Sequence, residues 1–367
     1  MLSWPASANV LSGQAVATQT QKPASAAQPS LTIDRDPIAS PDPDPPAASA
    51  PSAQGPAGPG QIGRENGKYT LRTDAYEVRL NATVLDQGGK SILTLGKDDF
   101  HVYEDGVPQT ITSFRHEDLP VSIGLLIDSS GSMYDKRAAV DDAALNLIRL
   151  SNKDDEAFVV DFSWEAFIDQ DFTNDIEKLR QGLTYVKSSG GTAVYDALVA
   201  SADYLTKNAK HPKQVLLVVT DGEDNASTAS LEQAIRRIQD LDGPVIYSMG
   251  LLFGEDTDKR ESRHARRVLE TLSEQTGGAA YFPKSLKDVD AVAAEIAKDI
   301  RTQYTIAYHS TKSPTLGGYR QVHVEAKAKN MGRLSVRTRT GYYPKVVNPK
   351  DDASVNDPQQ GSATAHP

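Results

Sequence analysis

The sequence contains no cysteine. Disulfide bonds, zinc sites built on thiolates and cysteine nucleophiles are therefore excluded. This absence does not fix the cellular compartment, because exported bacterial proteins often lack cysteine as well. Long apolar runs are missing too. No stretch approaches the ~20 residues that a membrane-spanning helix needs, so the sequence predicts no transmembrane segment.

Positive charge is in the minority. Lys and Arg number 39 against 49 Asp and Glu, which gives a formal net charge of −10. Phosphate contacts need clustered basic side chains, so this balance argues against nucleic acid as the main partner. One basic cluster, between Lys259 and Arg267, has helical spacing and is expected to be a solvated helix face.

The two ends of the chain are poor in apolar residues. The start, MLSWPASANVLSGQAVATQ, has neither a basic region nor a continuous apolar stretch, so a complete signal peptide is not visible. Residues 1–66 are rich in Pro, Ala, Ser, Gly and Gln, and residues 345–367 have a similar character. Such segments bury too little apolar surface to offset their ordering entropy, so both are predicted to be disordered tethers or spacers.

Residues 67–118 show the alternation that is typical of half-buried strands. Tyr76, Val78 and Leu80 fall on one face of such a strand. A turn sequence, EDGVPQ at residues 104–109, separates the strand-like segments DFHVY and TITSF. The pattern predicts a small antiparallel β unit.

Residues 119–304 alternate between short apolar strands and amphipathic helices. The segments VSIGLLI, AFVVDF, KQVLLVVT and PVIYSMG are apolar on both faces, which is typical of a parallel sheet covered by helices. Leu231, Ile235 and Ile238 recur at helical spacing between two of these strands. The pattern predicts a doubly wound, mostly parallel α/β domain.

Residues 305–344 return to alternation, as in QYTIAYHS and RLSVRTRTGYY. Because about every second side chain is polar, these strands do not suit the interior of a parallel sheet. We expect them to pair with residues 67–118. The result would be a small β subdomain that the α/β domain interrupts in sequence.

Oxygen-bearing side chains follow three of the predicted strands. Asp128, Ser130 and Ser132 follow the first strand as D-x-S-x-S, Thr192 follows two glycines, and Asp221 ends the segment LLVVTD. In a parallel α/β sheet, ligands bind beyond the carboxyl ends of the strands, so we expect these five side chains to meet there. Each loop alone is also explained by a turn or a helix cap. The three together favour a binding site.

Two carboxylates and three hydroxyls make an oxygen-only set of ligands. This set suits Mg²⁺, and also Mn²⁺ or Ca²⁺, and it fits zinc and copper poorly. Mg²⁺ favours six oxygens, so five protein oxygens, some of them acting through water, would leave one coordination position open. An acidic group from a partner would fit that position.

These motifs resemble a known family. D-x-S-x-S, the Gly-Gly-Thr loop and the later Thr-Asp-Gly loop occur in the order found in the von Willebrand factor type A domain with its metal-ion-dependent adhesion site. The resemblance covers roughly residues 120–305. The flanking segments DDFHVYEDGVPQTITSF and RTRTGYYP are similar to the acidobacterial-type branch of bacterial von Willebrand factor A-related proteins.

The resemblance implies roles for the five residues. Ser130, Ser132 and Thr192 correspond to hydroxyl ligands, and Thr192 engages the metal directly when a ligand is bound. Asp128 and Asp221 correspond to carboxylates that hold the ion largely through water. The family fold is a mostly parallel sheet flanked by helices, in agreement with the periodicity of the strands and helices.

We therefore expect a non-enzymatic, divalent-cation-dependent interaction or adhesion module. Its metal would bind a Glu or Asp of a protein partner. The sequence indicates neither the identity of that partner nor the oligomeric state of the protein. The resemblance implies a secreted, periplasmic or cell-envelope location. Two alternatives stay open: a structural domain whose site is a relic or is completed in an assembly, and a metal-dependent hydrolase. The hydrolase needs a general base, for which Glu223 and Asp224 are the nearest candidates.

Overall fold

The computed structural model of the protein describes residues 77–184, 188–240, 243–253 and 259–345, and the backbone of two short strands at 62–65 and 68–71. Apart from the strand at 62–65 and from Lys345, the two segments predicted to be disordered lie outside the described residues. In this described part of the chain, no helix is both long and apolar enough to cross a membrane.

Strands occupy both ends of the described chain, and strands alternate with helices between them. In chain order the strands are β1 (Ile62–Glu65), β2 (Lys68–Leu71), β3 (Glu77–Leu85), β4 (Phe100–Glu104), β5 (Val107–Gln109), β6 (Ile111–Arg115), β7 (Val121–Asp128), β8 (Glu156–Phe162), β9 (Ala166–Thr173), β10 (Lys213–Thr220), β11 (Val245–Gly250), β12 (Ala280–Tyr281), β13 (Tyr304–His309), β14 (Arg320–Ala326), β15 (Ser335–Arg337) and β16 (Gly341–Tyr342). The α-helices are α1 (Arg137–Arg149), α2 (Ile176–Thr184), α3 (Val194–Asn208), α4 (Leu231–Asp240), α5 (Lys259–Thr276) and α6 (Val289–Arg301).

A six-stranded sheet forms the centre of the α/β domain. Its strand order is β12-β11-β10-β7-β8-β9. Neighbouring strands are parallel, except that β9 runs antiparallel to β8 at one edge. The predicted doubly wound, mostly parallel α/β domain is confirmed. The sequence pattern does not predict the antiparallel edge strand β9.

Helices cover both faces of this sheet. On one face, Ile123, Leu125 and Ile127 of β7 pack with buried residues of α1, α2 and α6. On the other face, Leu126 and Phe158 pack with buried residues of α3, α4 and α5. The strands read as apolar on both faces because each face carries its own core.

Gly124 allows the second core to pack closely against β7. A Cβ atom at this position would lie 2.5 Å from both Phe158 Cζ and Leu216 Cδ2. These distances are far below van der Waals contact, so a larger side chain would displace the Phe158 ring. The glycine therefore serves packing in the strand that leads to the candidate site.

Two four-stranded sheets make up the β subdomain, with strand orders β15-β3-β13-β6 and β16-β14-β4-β5. Each sheet combines strands from before and after the α/β domain: β13 pairs with β3 and β6, and β14 pairs with β4. A third apolar core includes Leu80, Val102, Tyr304 and Val324. The predicted β subdomain, built from both flanks of the α/β domain, is confirmed.

Glu104 is the centre of a buried polar cluster in this subdomain. Its Oε2 accepts hydrogen bonds from the hydroxyls of Tyr308 at 2.9 Å and Tyr342 at 2.8 Å. Its Oε1 accepts from Ser310 Oγ at 2.6 Å and lies 3.4 Å from Arg320 Nη1. The cluster thus joins one strand that precedes the α/β domain to residues that follow it.

Asp299 of α6 links the β subdomain to the α/β domain. Its Oδ2 accepts a hydrogen bond from the Tyr247 hydroxyl of β11 at 2.8 Å. The same oxygen forms an ion pair with Arg337 of β15, and Arg337 also contacts Thr83 of β3. Because these side chains are largely buried, this link ties the base of the α/β domain to the strands that flank it.

Candidate metal site

The site begins where two neighbouring parallel strands end. β7 ends at Asp128, and β10 ends at Thr220, directly before Asp221. Ile127 lies opposite Val219 in the parallel register, so the carboxyl ends of the two strands meet at the same edge of the sheet. The Thr220 hydroxyl donates a 2.6 Å hydrogen bond to Asp128 Oδ2 and ties the two ends together.

Four of the five predicted ligands form one chain of hydrogen bonds. The Ser130 backbone N–H donates to Asp128 Oδ1 at 2.7 Å, and the hydroxyls of Ser130 and Ser132 are 3.1 Å apart. The Ser132 hydroxyl donates to Asp221 Oδ1 at 2.8 Å. The D-x-S-x-S loop therefore bridges the ends of β7 and β10.

Thr192, the fifth predicted ligand, lies on the adjacent loop. Its backbone N–H donates to Asn225 Oδ1 at 2.9 Å, and its carbonyl oxygen accepts from the backbone N–H groups of Asn225 and Ala226 at 3.0 and 3.2 Å. A Cβ atom built on Gly222 would lie 4.0 Å from Thr192 Oγ1. The Thr192 hydroxyl is thus next to the loop that carries Asp221, and main-chain and Asn225 contacts hold it there.

The two glycines before Thr192 accommodate an aromatic ring at the rim of the site. Gly190 has a φ of +90°, which favours glycine. A Cβ atom at Gly190 would lie 2.4 Å from Trp164, and one at Gly191 would lie 2.9 Å from the same ring. Trp164 nevertheless remains 64% exposed, and Tyr134, on the loop after β7, is 76% exposed. The rim is therefore aromatic.

The two carboxylates of this site are buried, so they lack the solvation that would stabilise their negative charges. Asp128 is fully buried. Burial raises the pKa of Asp128 to about 6, and the Asp221 carboxylate adds to the rise, whereas hydrogen bonds from Thr220 and Ser130 oppose it. The Asp221 side chain is only 1% exposed. Two anionic groups held this close in a buried site favour a nearby cation.

Lys136 supplies one such cation, and the sequence analysis does not identify it. Its Nζ lies 2.5 Å from Asp221 Oδ2 and 5.8 Å from the centre of the Phe253 ring. The sequence does contain one indication of this ion pair. A lysine directly before a helix is unfavourable beside the positive end of the helix dipole, so a compensating carboxylate is expected nearby. Thr220 and Asn225, which position Asp128 and Thr192, were also missed, since both act across loops that are distant in sequence.

The chemistry of the donor set fits a hard divalent cation. Among the described residues, no three His, Asp or Glu side chains cluster closely enough to hold a metal by themselves. A cation at this edge would therefore rely on the Ser130, Ser132 and Thr192 hydroxyls together with the two carboxylates. Hydroxyl, carboxylate and water oxygens are the ligands that Mg²⁺ and Mn²⁺ accept.

Asp224 serves the loop rather than the site. Its Oδ2 accepts from the Tyr195 backbone N–H at 3.0 Å and from the Ser227 hydroxyl at 2.6 Å, while its Oδ1 accepts from the Ser227 N–H at 3.1 Å. Both oxygens are thus engaged in fixing the loop after β10 against the start of α3. This arrangement commits Asp224 to the loop rather than to a role as a general base.

A second carboxylate pair lies behind the D-x-S-x-S loop. The Ser129 hydroxyl donates to Asp161 Oδ2 at 2.8 Å, and the Asp161 carboxylate lies close enough to the Asp169 carboxyl of β9 for the two charges to interact. Burial and the adjacent Asp161 carboxylate together raise the pKa of Asp169 to about 7, against the opposing charge of Arg137. The Asp169 carboxyl therefore keeps its proton to a higher pH than an exposed aspartate does.

This pair predicts a dependence of stability on pH. Folded Asp169 keeps its proton up to about pH 7, whereas an aspartate in the unfolded chain loses it near its ordinary pKa of ~3.9. The folded state therefore binds more protons between these values, and stability falls as the pH rises through this window. Asp169→Asn has no proton to lose, so its stability relative to the wild type should improve between pH 5 and pH 8.

Urea unfolding of both proteins at pH 5 and pH 8 measures this difference. Asp154→Asn, at an exposed position, is the matched control and should show no such change with pH. An Asp169→Asn variant whose stability relative to wild type is the same at both pH values would contradict the raised pKa of Asp169.

Comparison with known proteins identifies one domain of the chain. The family model of the von Willebrand factor type A domain matches residues 123–223, a segment that runs from β7 to the loop after β10 and includes all five predicted ligands. The chain contains a von Willebrand factor type A domain. The candidate site therefore lies within the segment that matches the A domain. The finer resemblance to the acidobacterial-type branch stays a prediction.

Several solved structures are similar to the chain at low sequence identity. Proximal thread matrix protein 1 from the mussel byssus is 16% identical, with 50% of this chain and 49% of that chain covered and a TM-score of 0.40. A von Willebrand factor type A protein from Catenulispora acidiphila is 14% identical, with 78% of each chain covered and a TM-score of 0.41. The PilB minor pilin from Streptococcus sanguinis is 13% identical, with 50% and 62% covered and a TM-score of 0.40.

The chain spans about half the length of the mussel protein that it matches. Among curated proteins, none matches the chain. The family match therefore supports the A domain, and the activity of the whole chain is a matter for proposal.

Proposed function

We propose that the A domain is a non-enzymatic interaction module that binds an acidic group of a protein partner through a divalent cation. Asp128, Ser130, Ser132, Thr192 and Asp221 would hold the cation. When bound, the cation would supply a positive charge and an open coordination position for a Glu or Asp carboxylate of the partner. Mg²⁺ is the expected ion, with Mn²⁺ or Ca²⁺ as substitutes.

The observation that carries this proposal is the buried Asp128–Asp221 pair joined by serine hydroxyls. Burying a carboxylate costs free energy unless an opposite charge lies nearby, and burying two carboxylates at one site raises that cost. The hydroxyls in between are neutral oxygens that add ligands without adding repulsion. Such a set supports cation binding better than it supports a simple helix cap, which needs one acceptor.

The rim supports a protein as the partner. Trp164 and Tyr134 expose aromatic rings beside the site, and aromatic side chains are enriched at protein interfaces. A partner segment whose carboxylate is flanked by apolar side chains would therefore gain from both the cation and the rings. We extend the proposal to a secreted or cell-envelope location, as the family resemblance implies.

A second candidate function is a structural domain without a working cation site. The Lys136 ammonium on Asp221 favours it, since a lysine can neutralise a buried carboxylate permanently. The hydrolase alternative is less favoured for Asp224, whose two oxygens hold the loop, and no observation favours Glu223 as a base. Cation binding separates the first two candidates.

Replacing Thr192 with alanine tests the proposal directly. The variant loses the hydroxyl, but the backbone contacts that hold the loop remain, so the fold should be preserved. We expect at least a tenfold loss of binding to peptides that carry a single Glu or Asp, measured by fluorescence polarisation in Mg²⁺. Thr192→Ser keeps a hydroxyl and should retain most of the binding.

Two matched conditions complete the experiment. Each peptide is compared with its Gln or Asn counterpart, and each titration is repeated in chelator. Binding that survives chelator, or that the Thr192→Ala variant retains in full, would contradict the proposed function.

A further inference from the structure

Lys136 lies directly before α1, at the end of a helix where cations are disfavoured. The free N–H groups of the first turn carry a positive partial charge. The next residue, Arg137, is also basic, and the first turn contains no acidic residue. Each of the two cations has its own carboxylate: Arg137 Nε donates to Asp141 Oδ1 at 2.8 Å, and Lys136 reaches Asp221. The second of these pairs involves the candidate site.

Both oxygens of Asp221 are engaged. Oδ1 accepts the hydrogen bond of Ser132 at 2.8 Å, and Oδ2 lies 2.5 Å from Lys136 Nζ. The Lys136 side chain is 19% exposed, against 1% for Asp221, so the lysine approaches the carboxylate from the solvent side. Its backbone is fixed, because its N–H donates to Met133 and its carbonyl accepts from Val140. The ammonium is therefore tethered beside the site.

A cation that binds Asp221 meets this ammonium. It either displaces Lys136 or shares one carboxylate with a charge of the same sign, and either event costs free energy. We propose that Lys136 is an internal competitor of the divalent cation: it neutralises Asp221 while no cation is bound, and it lowers the affinity of the site for the cation. This inference rests on the proposed function, and Lys136 itself is not a ligand of the cation.

The competition gives Lys136 two effects of opposite sign. Without a cation, the lysine stabilises the domain because it compensates a buried carboxylate. With a cation, the lysine opposes binding. A lysine with a purely structural role would lower stability on removal in both conditions and would leave cation affinity unchanged. The two signs together therefore distinguish the competitor from a structural residue.

Lys136→Met tests the inference, because methionine keeps a long apolar stem and removes the charge. Calorimetric titration of Mg²⁺ into chelator-stripped protein should show about tenfold tighter binding than in the wild type. In chelator, the melting temperature of the variant should be lower than that of the wild type, and the rise on adding saturating Mg²⁺ should be larger. Lys136→Arg keeps the charge and should behave as the wild type does.

The outcomes separate this inference from the proposed function. Mg²⁺ binding of equal strength in the wild type and in Lys136→Met overturns the inference alone. Binding in Lys136→Met but not in the wild type supports the inference in its strongest form, in which the lysine takes the place of the cation. The same result overturns the proposed function. Absence of binding in both proteins overturns both. If the methionine variant does not fold, Lys136→Gln removes the charge while keeping a hydrogen-bond donor for Asp221.

Discussion

Replacing Asp221 with asparagine should weaken Mg²⁺ binding by about a hundredfold, equivalent to ~2.7 kcal/mol. The amide keeps the size of the side chain and an oxygen for the Ser132 hydroxyl, so only the charge is lost. Asp221 is almost completely buried, and its charge is therefore poorly screened by solvent. The loss should appear in calorimetric titrations of Mg²⁺ into chelator-stripped protein.

Asp135→Asn is the matched control. Asp135 is an exposed carboxylate between Ser132 and Lys136, so its removal changes the net charge of the same loop without touching the hydrogen-bond chain. We expect a change in affinity of less than threefold. Equal losses in the two variants would show that Mg²⁺ senses only the general negative charge of this edge, and the specific site would have to be abandoned.

Replacing Glu104 with alanine should destabilise the protein by ~3–5 kcal/mol, because it leaves a buried arginine without its carboxylate. The side chains of Glu104 and Arg320 are only 1% and 2% exposed. The change also removes the acceptor of the Tyr308 and Tyr342 hydroxyls. Urea unfolding followed by circular dichroism measures the loss.

Glu77→Ala provides the comparison for this prediction. Glu77 pairs with Arg79 at 2.6 Å, but both side chains are well exposed to solvent, and such pairs contribute ~1 kcal/mol or less. A Glu104→Ala variant no less stable than Glu77→Ala would contradict the assignment of Glu104 as the polar centre of the β subdomain.

Much of the fold follows from local pattern. Runs such as KQVLLVVT are apolar on both faces, which requires a layer of helices on each side, and the two cores around β7 provide those layers. The alternating strands after α6 cannot enter that sheet, so pairing with β3, β4 and β6 is the remaining way to bury their apolar faces. Burial thus determines the split β subdomain.

The antiparallel strand β9 escapes this reasoning. An edge strand with a largely exposed face has no strong apolar period, and its sequence AFIDQDFT resembles that of a loop. Its position depends on its pairing with β8. The two strands are close in sequence, but no local sequence pattern indicates that they pair. Tertiary context therefore decides what this segment becomes.

The sequence predicted where the five candidate residues lie, but not which residues support them. Strand ends in a parallel sheet meet by topology, so Asp128 and Asp221 were expected to be neighbours. Lys136 and Asn225 lie on the same two loops as the candidate residues, but each side chain contacts a residue of another loop, and such contacts are not encoded in sequence spacing. The same limit applies to Trp164, whose ring covers the glycines before Thr192.

The most direct test of the central claim is calorimetric titration of Mg²⁺ into the chelator-stripped wild-type protein. We predict one saturable binding event and a matching rise in melting temperature, because a ligand at about 100 times its dissociation constant adds ~2.7 kcal/mol of stability. No saturable heat and no rise in melting temperature up to millimolar Mg²⁺ or Mn²⁺ would contradict the claim that this edge of the A domain is a cation site.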